Sequence, residues 1–291
     1  MSASAEKIKE LRNRTQAGFM DCKKALEESN NDIEKAIAWL REKGISKAAK
    51  KANAIAAEGQ TLVKEDGNNC VILEVNSQTD FVSKNPDFVK FVKDVADTIL
   101  KNKSVKDIDK MVLSSKKTIA DTAIELTATI GEKIGVRRAD LFTKTKDQSF
   151  GVYQHFNNRV SAMVLIEGKV SAEVGKEIAM QVASMNPKFV NSSEVDKKWK
   201  ETEEKILIQK TIDEGKPKEF AEKIVKGRMG KILAEVCLDD QPFIKDNGIT
   251  ISKYLKEKGG KALKMIRYEV GEGIEKQESN FADEVKAQMK K

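Results

Sequence analysis

Residues 70–75, Cys-Val-Ile-Leu-Glu-Val, form a β-branched run that reads as a buried strand. Beyond a short polar stretch, Phe88, Phe91, Val92, Val95 and Ile99 recur at i, i+3, i+4, i+7 and i+11, the spacing of an amphipathic helix. A strand feeding a helix commits this part of the chain to mixed structure. The corner between them, Asn76 to Pro86, carries an acid and an aromatic ring side by side at Asp80 and Phe81. Loops at such corners face solvent. A helix cap with a phenylalanine tucked into the core is the simplest account of that pair; a surface that grips a partner is the other.

The same patterning organises the rest of the chain. Strands are expected near 60–64, 70–76, 136–144, 150–156 and 160–167, and helices near 86–101, 114–131 and 173–185. Asn85-Pro86-Asp87-Phe88-Val89 returns as Asn186-Pro187-Lys188-Phe189-Val190, each copy downstream of an Asn-Asn turn and an apolar strand. The first copy opens a helix and the second closes one, so the match points to a duplication without establishing it. Upstream, Ile8 and Leu11, then Met20 to Glu28, then Ile33, Ile37 and Leu40 mark three helices. Asn30-Asn31-Asp32 supplies a turn and N-cap, and Gly44 is placed to be the last C-cap. Residues 45–58 are rich in Ala and Lys with little periodicity, which fits a solvated tether or a loosely docked helix.

Residues 193–236 interrupt the mixed pattern with two highly charged helical runs, where Val195, Trp199 and Ile206 stand among Lys and Glu. Gly215-Lys216-Pro217 stops one helix and restarts the next. An antiparallel hairpin with a narrow apolar seam is expected. Ala262 to Val270 reads as a strand returning to the core, and Phe281 to Met289 as a short terminal helix. The expected class is therefore α+β. A three-helix module (1–45) and basic linker (46–58) precede a core with antiparallel strands in two parts, 59–145 and 146–275. The hairpin is inserted at 193–236 of the second part, and residues 276–291 form a C-terminal helical module.

The chain has 291 residues, room for two or three modules. Its net charge is +7, an excess that nucleic acid or an acidic protein would both answer. Only 8 of the 53 basic residues are Arg (12, 14, 41, 137, 138, 159, 228 and 267), and aromatics make up 5%. Readers of nucleic acid concentrate Arg and stacking rings on one face, and no such cluster stands out. The three cysteines, 22, 70 and 237, lie far apart with no paired spacing. With no secretory-type leader and no apolar run of about 18 residues, a reduced, cytoplasmic protein that does not enter a membrane is expected.

What the sequence lacks narrows the chemistry. The single histidine, His155, rules out a histidine-based metal cluster. No phosphate-cradling Gly-rich loop ending in Lys-Ser/Thr occurs, and Gly271-Glu272-Gly273 has Lys276 where a dinucleotide loop needs its third Gly. A Ser or Cys nucleophile would have only His155 as base. No catalytic residue, cofactor, metal or directly bound nucleotide is expected, and the protein is read as a non-enzyme.

Four stretches resemble bacterial elongation factor Ts. Gln78-Thr79-Asp80-Phe81-Val82 looks like that family's Thr-Asp-Phe-Val signature, and the segment Arg12 to Leu26, containing Gly18-Phe19-Met20-Asp21, resembles its N-terminal signature. Residues 215–229 are similar to its coiled-coil arm, and Arg267 to Glu275 to its final core strand. The resemblance implies a ubiquitin-associated-type (UBA-like) first module, a core of two similar subdomains, and guanine-nucleotide exchange on elongation factor Tu. It assigns Thr79, Asp80, Phe81 and Val82 to a loop that enters beside the partner's Mg²⁺ site, and Arg12, Phe19 and Met20 to a second contact. This chain departs from the family pattern at Gln16, where Gly is usual, at Phe19, where Met is usual, and at Phe156-Asn157-Asn158. The family also carries a His at 155, which leaves a contact role open beside a structural one. An RNA- or ribosome-binding protein using its Lys excess is the alternative, and a structural adaptor with a helical binding module is a third reading.

Overall fold

The computed structural model describes residues 3–15 and 17–275. The expected terminal helix at 281–289 and the departure at Gln16 lie outside them. Helices α1 (Ala5–Thr15), α2 (Phe19–Glu28) and α3 (Ile33–Lys51) come first and enclose Ile8, Leu11, Cys22, Ala25, Leu26 and Ala36. Asp32 caps α3, accepting from the Lys35 amide at 3.0 Å. Gly44 is not the C-cap expected of it. It lies buried inside α3, where an added Cβ would come within 2.9 Å of the Ala128 side chain. Its small size serves a helix crossing, and the Ala- and Lys-rich stretch beyond it, made of good helix formers, continues the helix to Lys51.

Strands β1 (Glu58–Asp66) and β2 (Asn69–Ser77) lead to the four-residue helix α4 (Asp80–Ser83), then α5 (Pro86–Asn102), α6 (Ile119–Ile130) and β3 (Gly135–Thr143). Then come β4 (Gln148–Gln154), β5 (Val160–Glu167) and α7 (Ala172–Met185), followed by the long pair α8 (Lys197–Asp213) and α9 (Lys218–Val236). A ribbon of β6 (Pro242–Phe243) and β7 (Asp246–Thr250), then α10 (Ile251–Glu257) and β8 (Lys261–Glu269), completes the described chain. Neither this ribbon nor α10 was expected from the sequence, and α6 starts at Ile119, later than expected.

Two antiparallel sheets, ordered β1-β2-β3 and β4-β5-β8, stand face to face. Successive residues of β2 turn to opposite faces, and both faces are covered, so its run from Cys70 to Val75 is apolar except at Glu74. Cys70 and Ile72 meet Phe150, Met163, Leu165 and Tyr268 between the sheets, while Val71, Leu73 and Val75 meet α5 and α6 on the outside. The strand β5 splits the same way, with Ala162, Val164 and Ile166 turned toward α7 and α10. The order is thus helices, sheet, sheet, helices. The two Asn-Pro copies sit as their placement foretold: Asn85 is the N-cap of α5, and Asn186, at φ 48°, is the C-cap of α7. Burial raises the Cys70 thiol to about 12, and Cys22 and Cys237 are likewise buried and raised, as core thiols should be.

The helices α8 and α9 form an antiparallel hairpin whose seam buries Thr211, Ala221, Val225 and Met229. Among the described residues no helix is long and apolar enough to cross a membrane.

Candidate functional site

The corner after β2 is built by caps. Thr79 is extended (φ −121°, ψ 160°) and is the N-cap of α4, with its hydroxyl facing the Val82 amide at 3.5 Å. Two residues past α4, Asn85 caps α5 by accepting from the Asp87 amide at 2.8 Å. Two caps this close leave one turn of helix standing proud between strand and helix. Phe81 sits on it 80% exposed, whereas Val82 is 7% exposed and packs into the core against α5. The sequence grouped Thr79 to Val82 as one contact set; the structure divides them. Asp80 and Phe81 face solvent, Thr79 is half-buried and engaged in capping, and the Val82 side chain is internal because the turn needs one anchor beneath it.

Asp80 pairs with Lys84 at 3.0 Å. That hydrogen bond, with a smaller effect of the Arg159 charge, holds its carboxyl below the usual carboxylate range. The β4–β5 turn and the end of α4 share one anchorage. Both are tied to the start of β1. The Gln60 amide donates to the Ser83 carbonyl at 2.6 Å, the Thr61 amide donates to the Asn158 carbonyl at 2.8 Å, and Arg159 pairs with Glu58. In that turn Phe156 is 88% exposed and tilts against the His155 ring at a centroid distance of 4.5 Å. His155 lies just past β4 and not within it, with Nδ1 2.9 Å from the Tyr153 hydroxyl. A phenylalanine so exposed on each of two neighbouring, tethered loops forms a surface that water covers poorly.

Arg12, Phe19 and Met20 belong to the α1–α3 unit. All three side chains are exposed, Met20 at 70% and Phe19 at 52%, and the last two stand at the first turn of α2. They share no element with α4.

Sequence reasoning missed the residues that hold α4 from outside. The Glu132 carboxylate accepts from the Thr79 amide at 2.9 Å and from its hydroxyl at 2.9 Å, and the Lys133 amide donates to the Gln78 side chain at 2.9 Å. These partners are more than fifty positions apart in the chain, and nothing in the local pattern near 132 announces them.

Comparison with known proteins agrees with this architecture. The family described as Elongation factor TS matches residues 78–272, and that described as Elongation factor Ts, mitochondrial, N-terminal, matches residues 1–48. The chain is similar to Elongation factor Ts of Malacoplasma penetrans (strain HF-2), 81% identical over 292 residues and covering 100% of both chains. The chain therefore belongs to the elongation factor Ts family of translation elongation factors.

Proposed function

We propose that this protein is a guanine-nucleotide exchange factor for elongation factor Tu, a binding protein and not an enzyme, acting in the cytoplasm. The observation that carries the reading is the bare phenylalanine, Phe81, held on a capped one-turn helix beside a carboxylate. A GTPase grips GDP through backbone amides around the phosphates and through Mg²⁺ and its waters. Nanomolar binding is worth about 12 kcal/mol, so unaided release is slow. Phe81 inserts between partner helices and Asp80 disturbs the polar network that holds the Mg²⁺ waters. Thr79 and Val82 serve as the cap and anchor of the turn that presents them.

Burying one phenylalanine supplies about 2–3 kcal/mol, while a thousandfold faster release needs a barrier lower by about 4 kcal/mol. Further contacts must hold the partner distorted. Arg12, Phe19 and Met20 supply them on α1–α3, which we read as a UBA-like module. The seam of α8 and α9 supports reading that hairpin as a coiled-coil arm. Because two ligands of one protein affect each other equally, nucleotide weakens the factor as much as the factor weakens nucleotide. The factor then leaves when GTP binds. The direct test is release of fluorescent GDP from elongation factor Tu with and without this protein. Acceleration by orders of magnitude is expected; an unchanged rate rejects the reading.

A further inference from the structure

We propose that the turn Gly131 to Ile134 is a clasp that sets where Phe81 stands, with Glu132 as its positioning residue. The proposal rests on the exchange reading above and names what holds the contact loop in place. A helix of one turn does not persist by itself, because nucleation fixes several residues for a single hydrogen bond. Phe81, bare to solvent, makes too little contact to locate itself. Its position must come from the backbone on either side.

Glu132 supplies that constraint. Its carboxylate takes the Thr79 amide at 2.9 Å and the Thr79 hydroxyl at 2.9 and 3.0 Å. A hydroxyl that donates to Glu132 keeps its lone pairs for the Val82 amide, so Glu132 fixes the orientation in which Thr79 caps α4. Hydrogen bonds to an ionised acceptor are the stronger kind. One residue on, the Lys133 amide holds the Gln78 side chain at 2.9 Å. The clasp itself is anchored: Gly131, at φ 87°, caps α6, and the Ile134 amide donates to the Thr127 hydroxyl at 3.0 Å.

Lys133 also reaches the other way. The Lys133 ammonium donates to the carbonyls of Ala52 at 2.6 Å and Ala54 at 3.1 Å. These lie just past α3, where helix carbonyls lack partners and the dipole favours a cation. With Gly44 pressed on Ala128 of α6, α6 and its C-terminal turn form one strut between α1–α3 and the Phe81 loop. Such preorganisation lowers the cost of ordering the loop on binding.

The test compares the natural protein with Phe81→Ala, Glu132→Ala, Glu132→Gln and the double variant Phe81→Ala/Glu132→Ala. Fluorescent-GDP release from elongation factor Tu is measured across factor concentration, with amide hydrogen exchange at Thr79 and Val82. Glu132→Ala is expected to slow release at saturation about tenfold, or 1.4 kcal/mol, to speed both amides, and to cost nothing further when Phe81 is already Ala. Glu132→Gln, which keeps an acceptor, should recover part of the rate and serves if the Ala variant melts early. Normal release and unchanged amides in Glu132→Ala overturn the clasp, as does a full tenfold loss in the Phe81→Ala background. If Phe81→Ala itself releases GDP at the natural rate, the exchange reading fails, and the amide exchange at Thr79 still decides whether Glu132 holds the loop.

Discussion

The backbone amide of Gly271 donates to the carboxylate of Glu74 across 2.8 Å, joining the chain just past β8 to the middle of the opposite sheet. Glu74 is fully buried on the inter-sheet face of β2. It also receives Asn76 at 3.0 Å, Arg138 at 2.6 Å and Arg137 at 3.1 Å. Burial alone would push its carboxyl up; the Gly271 amide, Asn76 and Arg138 outweigh it and hold the group below the usual range. Gly271 is irreplaceable here, since its φ is 76° and an added Cβ would stand 2.2 Å from the Ala57 carbonyl oxygen.

Removing the charge by Glu74→Gln leaves two guanidinium groups facing a neutral amide. Breaking a fully buried pair costs about 3–5 kcal/mol, and the Arg side chains here are 27% and 29% exposed, so about 2–3 kcal/mol is expected. A thermal melt should fall by roughly 5–10 °C. A group whose folded pKa is lowered contributes stability above its unfolded pKa, near 4.3, and loses it as pH falls through the folded value. The gap between natural and variant melts should therefore be full above about pH 5 and close in stronger acid. A gap independent of pH would show that Glu74 acts by shape alone.

How much of this was legible follows from where each residue finds its partners. The run Cys70 to Val75 was readable because both its faces are buried, so the run is apolar at every position but Glu74. Phe81 was readable only through its motif, because hydrophobicity by itself argues for burial. Gly44 was misread because glycine serves both helix ends and close crossings, and only Ala128, far along the chain, distinguishes them. Glu132 and the bond from Gln60 to Ser83 have no local period to betray them. The ribbon β6–β7 escaped because a two-residue strand carries no alternation.

The hairpin α8–α9 should be dispensable for folding if the cut respects its base. Val190, Val195, Cys237 and Leu238 are buried, and the Lys188 and Phe189 amides both donate to the Val236 carbonyl. Replacing residues 197–233 by a short Gly/Ser turn should leave a cooperatively melting protein that still speeds GDP release. An unfolded or inert product would show that the arm belongs to the core or to the contact.

The α1–α3 unit should supply affinity more than displacement of Mg²⁺. A deletion ending at 45 would cut α3 in its middle, so the informative boundary follows Ala54. Without residues 1–54, half-saturation of exchange should need at least about tenfold more factor, a loss of roughly 1.4 kcal/mol. Release at saturation should recover in part. A truncated protein that binds as tightly as the full chain would remove Arg12, Phe19 and Met20 from the contact.

Asp239 offers a pH dependence of the opposite sign. Burial, then the neighbouring charge of Asp240, raises its carboxyl to about 6. A raised folded value means that ionisation costs stability as pH rises from near 3.9 through 6. Asp239→Asn should raise the melt at pH 7 by a few degrees, on the order of 1 kcal/mol after allowing for its partial exposure. The two proteins should melt alike below pH 4. A stabilisation undiminished in acid would assign the effect to packing.

Phe81 should matter more than Asp80, and both should act on release and not on the fold. Phe81→Ala removes up to about 3 kcal/mol of burial against the partner, at most a hundredfold or so in rate. Asp80 is solvated and paired with Lys84 at 3.0 Å, both side chains being more than half exposed. Such a pair adds little to stability, so Asp80→Ala should cost roughly tenfold in release while the melt holds. Phe81→Ala should melt unchanged as well, because the ring covers no core residue; Val82 anchors the turn beneath it. GDP release at saturating factor, measured beside a thermal melt, separates the outcomes. A Phe81→Ala protein that exchanges normally removes the inserted ring from the mechanism. One that melts many degrees lower shows that the ring supports the turn, and that the partner reads something other than its exposed face.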